Sequence, residues 1–274
     1  MHSLIKRCFA EFLGTFFLLF IGVGSLIFTS SNLGIVASSL CFGIIFILLY
    51  YFLNQISGCH LNPVVSLACA IIKKISVKEC LMYSLFQLIA CIVSTILLFA
   101  LLLCSGEIIT LISNFTACVG YDNFSPLKIS LPVALIVEIL ITAVFVFAFL
   151  FFQNKFKKAN LSGIGIGLVY VILCLIGSNL TGACINPLRA LCPALITFIF
   201  ASFTPIIQFF VFLLATYIGA IFAVIVYSLI FKLNIKPVKQ TDESKKIKQM
   251  EKIKKIKMKK DKKSKVKNKS KTSK

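Results

Sequence analysis

Two asparagine–proline pairs stand in matching settings. Ser57-Gly-Cys-His-Leu-Asn-Pro ends at Asn62-Pro63, and Thr181-Gly-Ala-Cys-Ile-Asn-Pro ends at Asn186-Pro187. Asn is a strong helix N-cap, and Pro is favoured at the first helical position, where the N–H it lacks would have no partner. Each pair therefore predicts a helix start. The apolar stretches that follow, about 62–72 and 186–198, are too short to cross a bilayer, which takes about 20 apolar residues. An N-cap Asn commits its side-chain oxygen to its own helix, which leaves its NH2 to donate outward. Helix N-termini add positive partial charge. Two such ends facing one cavity offer hydrogen bonds to a small neutral solute and repel cations and protons.

Three charged residues stand near these pairs in the pattern. Arg189 falls in the first turn of the second short helix, where the helix field disfavours a cation. A charge inside a membrane is costly and usually marks function. The alternative is an arginine snorkelling to the headgroups. Glu11 and Glu138 occur in a repeated pattern, Glu11-x-x-x-Thr15 and Glu138-x-x-x-Thr142. Glu138 is deep in its apolar run, so the backbone N–H groups of the Asn-Pro loops are its expected donors. Glu11 is near enough to Arg7 for an interfacial position. His60 is expected to be a hydrogen-bonded loop residue in preference to a protonation gate. No catalytic triad, phosphate loop, nucleotide fingerprint or metal-ligand spacing occurs in the chain. An enzyme, a metal centre and a bound cofactor have no basis here.

The elements that must position these residues follow from hydropathy. The chain is 59% hydrophobic, with a mean hydropathy of +0.98. Six runs are long enough to span, at about 9–29, 34–53, 80–104, 131–152, 162–180 and 207–231. Lys6 and Arg7, then Lys73, Lys74 and Lys78, then Lys155, Lys157 and Lys158, then a lysine-rich tail all fall on one side if the short stretches do not cross. The positive-inside rule makes that side cytoplasmic, with both termini on it. Three spans separate the two Asn-Pro segments, so the halves are inverted relative to each other. Such repeats place broken helices near the midplane. The expected fold is all-α integral membrane, with six transmembrane helices, two re-entrant half-helices and an inverted internal repeat. The channel-like body is expected over 1–231, with halves about 1–104 and 131–231, and a disordered cytoplasmic tail over 232–274.

The tail holds 19 of the 29 Lys/Arg residues. Its composition cannot build a core. Loose association with anionic lipid is the leading expectation, ahead of nucleic-acid binding. The 11 cysteines contain no Cys-x-x-Cys, and most lie in apolar runs as small hydrophobes. Cys104 and Cys118 flank an outside loop, and a bridge between them is considered, with free thiols as the default. Asn114-Phe-Thr and Asn123-Phe-Ser in that loop match glycosylation acceptors.

At these residues the chain resembles the aquaporin family of major intrinsic proteins. "AEFLGTFFLLF" (residues 10–20) is similar to the family's first-span signature. "SGCHLNPVVSLA" and "TGACINPLRALCPAL" are similar to its two Asn-Pro-Ala boxes, the second with its arginine and later Gly-Pro. Gln87, Tyr217 and Gly219 also fit. The resemblance covers about residues 8–231. It implies an aquaporin-like fold, commonly a homotetramer, with passive conduction through each subunit and the plasma membrane as the default location. By the family's spacing, the narrow filter falls on Phe42, Cys174, Ala183 and Arg189. Val64 and Leu188 replace the box alanines and are expected to reshape the midpoint. Water-selective members usually have His where Cys174 stands. Glycerol channels usually carry Asp where Ala190 stands, and Pro where Thr216 falls. Those features favour a water-type channel, while Cys174 and Ala183 favour a wider filter.

The leading expectation is a passive channel for water that excludes ions and protons. Its nearest rival conducts glycerol, ammonia, urea or hydrogen peroxide. A coupled secondary transporter would need titratable groups on the path, for which Glu11, Glu138 and His60 are the candidates. A non-conducting membrane scaffold is the remaining class.

Overall fold

The computed structural model describes residues 3–28, 34–105, 117–155 and 159–231. The lysine-rich stretch 232–274, Asn114 and its glycosylation triplet lie outside the described residues. The described residues form eight α-helices: α1 (Leu4–Phe28), α2 (Gly34–Ser57), α3 (Pro63–Ile71), α4 (Val77–Ser105), α5 (Leu131–Lys155), α6 (Ala159–Leu180), α7 (Pro187–Phe200) and α8 (Thr204–Phe231). A single 3-10 turn, Asp122–Phe124, lies between α4 and α5. Six helices are long and apolar enough to cross a membrane; α3 and α7 are the short ones.

The helices begin earlier than the apolar runs do. α1 starts at Leu4, about a turn ahead of its run at 9, and carries Arg7 inside the helix. Arg7 is tolerated because its guanidinium is satisfied. Nε donates to the Tyr83 hydroxyl at 2.8 Å, and Nη1 pairs with Glu79 at 2.5 Å. α4 starts at Val77 because Ser76 caps it, accepting from the Glu79 N–H at 3.2 Å while Glu79 Oε2 accepts from the Ser76 N–H at 2.7 Å. That reciprocal pair is a capping box.

The outer surface is apolar and the interior holds polar groups. Phe52 is 71% exposed and Leu214 65%, while Glu11, Gln87 and Glu138 are fully buried. This is the arrangement a hydrocarbon solvent selects, since lipid cannot satisfy a polar group.

Packing follows the repeat. α1 packs on α2 and α4, as α5 packs on α6 and α8. α2 and α6 cross at the junction of the halves. Each half-helix also packs into the opposite half, α3 against α8 and α5, α7 against α4 and α1. The N-termini of α3 and α7 are thereby brought together inside the bundle.

Candidate functional site

The two connections into the half-helices have the same backbone. Gly58, Cys59 and Leu61 have φ of 94°, 53° and 51°; Gly182, Ala183 and Ile185 have 89°, 55° and 53°. A non-Gly residue in this region costs about 1–3 kcal/mol and persists only where its surroundings hold it. Here the alternation turns consecutive N–H groups toward one point, forming an anion-binding nest. His60 N and Leu61 N donate to Glu11 at 2.9 and 2.7 Å. Cys184 N and Ile185 N donate to Glu138 at 2.9 and 3.3 Å.

Side chains complete each cradle. The Ser57 hydroxyl donates to Glu11 at 2.6 Å and the Gln87 amide at 2.8 Å. The Thr181 hydroxyl donates to Glu138. Ser57 and Thr181 also accept from the Cys59 and Ala183 N–H groups, at 3.1 and 3.2 Å. Glu11 is thus not an interfacial partner of Arg7. It is as buried as Glu138, and Arg7 has its own carboxylate, Glu79. The sequence carried a signal for this depth, because Ser57 and Thr181 occupy equivalent places in the two boxes.

The asparagine caps are where the halves meet. Asn62 Oδ1 accepts from the Val64 N–H at 3.0 Å, and Asn186 Oδ1 accepts from the Leu188 N–H at 3.0 Å. Pro63 and Pro187 occupy the first helical positions. The freed NH2 groups do not both point outward with two N–H bonds. Asn62 Nδ2 donates to the Ile185 carbonyl at 3.2 Å, and Asn186 Nδ2 donates to the Leu61 carbonyl at 2.9 Å. One hydrogen of each amide therefore ties the two loops together, and the second remains for another acceptor. Val64 and Leu188 are buried in the core at 0% and 5% exposure, so the bulk that replaces the box alanines is packed away.

Arg189 lies one turn into α7 and is 3% exposed. Its Nη1 donates to the Ala117 carbonyl at 2.7 Å, which anchors it to the segment leading into α5. It borders a cavity of about 330 Å³ together with Cys118, Ser178 and Gly182. Tyr170 and Cys174 on α6 lie within electrostatic reach of its guanidinium. Phe42 stacks obliquely on Tyr170 at 5.6 Å, and Ala183 lies against Gly177. Phe42, Cys174 and Ala183 are all buried.

His60 Nδ1 is 3.1 Å from the Ser66 hydroxyl, and the ring meets Tyr83 and Phe149 edge-on. Tyr83 donates to the Ser57 carbonyl at 2.9 Å. Sequence reasoning missed Tyr83, Ser66 and Ala117, which support the loops through long-range contacts. Cys104 and Cys118 are both free thiols, and Cys118 is 3.2 Å from the Thr197 hydroxyl. Among the described residues, no group of His, Cys, Asp and Glu could hold a metal ion. Thr216 is buried and donates to the Leu213 carbonyl at 2.9 Å.

The sequence profile described as Major intrinsic protein matches residues 1–227. The chain belongs to the major intrinsic protein family. Among its relatives is Aquaporin Z of Rhodopseudomonas palustris, 31% identical over 226 residues, spanning 81% of this chain and 92% of the relative. Glycerol uptake facilitator protein-like 6 of Lactiplantibacillus plantarum is 31% identical over 220 residues, spanning 80% and 95%. The X-ray structure of the aquaglyceroporin from Plasmodium falciparum superposes with a TM-score of 0.72 at 22% identity, covering 84% of this chain and 97% of that one. The shared architecture of the major intrinsic protein family and the six apolar helices make this an integral, multi-pass membrane protein.

Proposed function

We propose that the chain is a passive transmembrane channel for water that excludes ions and protons. The observation that carries this reading is the reciprocal bonding of Asn62 and Asn186. It holds two amide donors and two helix N-termini at one place inside the bundle. A water oxygen that accepts from both remaining N–H bonds has both lone pairs occupied. It cannot accept a hydrogen bond from the next water, so a proton relay breaks there. The positive ends of α3 and α7 oppose cations at the same point. Arg189 adds a fixed charge next to Phe42, Cys174 and Ala183, the proposed narrow filter.

Stopped-flow light scattering on proteoliposomes tests the reading. A sucrose step should shrink wild-type vesicles at least tenfold faster than empty ones. A folded protein that leaves the rate at that of empty vesicles would overturn it.

The second reading is a channel that also conducts glycerol, ammonia or hydrogen peroxide. It is favoured by the small Cys174 and Ala183 beside Arg189, and by the relative named as a glycerol uptake facilitator. Faster re-swelling in a glycerol step would decide for it. The membrane is the plasma membrane in this reading, with both termini cytoplasmic and the lysine-rich tail against anionic lipid. The assembly is a homotetramer with one passage in each subunit.

A further inference from the structure

Two thiols with no part in the passage meet behind the second half-helix. Cys91 lies on α4 and Cys192 on α7, and both are 0% exposed. The Cys91 thiol donates to the Leu188 carbonyl at 3.4 Å. In an α-helix that carbonyl is the acceptor for the N–H four residues on, which is that of Cys192. The Cys91 sulfur therefore sits at the turn that carries Cys192, and the two thiols are hydrogen-bonded to each other. Thr95 accompanies them, donating to the Cys91 carbonyl at 2.8 Å and bonding the Cys192 thiol. The pair is one turn from Arg189. Pro193, the next residue, has no N–H for the Arg189 carbonyl, so α7 lacks a rung at this point.

We propose that Cys91 and Cys192 form a redox-active dithiol that hydrogen peroxide oxidises to a disulfide, tying α4 to α7 and lowering conduction past Arg189. The inference rests on the channel reading in one respect. Peroxide, a small neutral solute, reaches the pair from the passage, where Leu188 follows the Asn186 cap. One sulfur attacks a peroxide oxygen and the O–O bond breaks. Hydroxide leaves and takes up the thiol proton as water, and a sulfenic acid remains. The second sulfur attacks the sulfenic sulfur and the S–O bond breaks. The second thiol proton leaves with that hydroxide as another water. Two thiols lose two electrons in total, and one peroxide gains them. The bond then holds the α7 turn that carries Arg189 against α4.

The test uses the full-length protein in proteoliposomes, treated with hydrogen peroxide, alkylated and digested without reduction. A peptide joining Cys91 to Cys192 is expected. At least a twofold fall in osmotic water permeability should accompany it, and dithiothreitol should reverse both. Cys91→Ser keeps a donor for the Leu188 carbonyl. It should retain the permeability of the reduced protein and lose the response to peroxide. Absence of the joined peptide, or its presence with unchanged permeability in a conducting protein, overturns the proposal. A reduced protein that conducts no water would overturn the channel reading separately, and the peptide map would still decide for or against the dithiol.

Discussion

Gly43 and Gly167 face each other where α2 crosses α6, each standing 19 residues before its half-helix asparagine. A Cβ on Gly43 would come within 2.6 Å of the Gly167 carbonyl oxygen, and one on Gly167 within 2.7 Å of the Gly43 carbonyl oxygen. The obstacle on both sides is backbone, which cannot turn away as a side chain does. Close approach of this kind is how membrane helices gain packing energy without a hydrophobic driving force. Here it fixes the junction of the two halves, and with it the spacing of the asparagine caps.

Gly43→Ala should therefore separate α2 from α6 and destabilise the fold by about 1–3 kcal/mol, the usual cost of overpacking. Thermal unfolding in detergent reads this as a lower Tm. Gly34→Ala is the control, because a Cβ there meets nothing within 4 Å. It should leave Tm unchanged or raise it slightly.

Glu11→Gln should be more damaging than Glu138→Gln. Glu11 accepts from Ser57, His60, Leu61 and Gln87, whereas Glu138 accepts from Thr181, Cys184 and Ile185. An amide in either place turns an NH2 toward donors. Each donor left without an acceptor costs about 1–3 kcal/mol. The yield of folded protein from size-exclusion chromatography should fall for both, and further for Glu11→Gln. Equal yields would show that the extra donors on Glu11 carry no weight.

Asn186→Asp preserves the cap on the Leu188 N–H and removes the donor to the Leu61 carbonyl. It also places negative charge where α3 and α7 present their positive ends. Cation conductance in planar bilayers should rise at least tenfold over wild type, a factor that corresponds to about 1.4 kcal/mol. Conductance equal to wild type would mean that the midpoint field does not control ion exclusion.

Cys174→His restores the larger, polar residue usual in water-selective channels next to Arg189. The ratio of glycerol to water permeability should fall at least fivefold in stopped-flow measurements. An unchanged ratio would move the solute barrier away from Cys174.

Tyr83→Phe removes a hydroxyl that accepts from Arg7 at 2.8 Å and donates to the Ser57 carbonyl at 2.9 Å. It leaves both buried partners short of a bond, so a loss of about 1–3 kcal/mol is expected. The lower Tm should be partly recovered by Arg7→Met with Tyr83→Phe, since the second change removes the stranded cation.

Local sequence determined the elements of this protein. Apolar runs of spanning length gave six membrane helices, and Asn-Pro with a short apolar tail gave two half-helices, because hydropathy, capping and proline geometry act within a few residues. The repeat added the pairing of Glu11 with Glu138 and of Ser57 with Thr181. The tertiary structure alone decided which groups bond across the halves. It joined Asn62 to the Ile185 carbonyl and Asn186 to the Leu61 carbonyl, gave Arg7 to Glu79 in place of Glu11, and set Gly43 against Gly167. These partners lie far apart in the chain. A buried polar group accepts any donor of suitable geometry, so only the packed bundle fixes which one it meets.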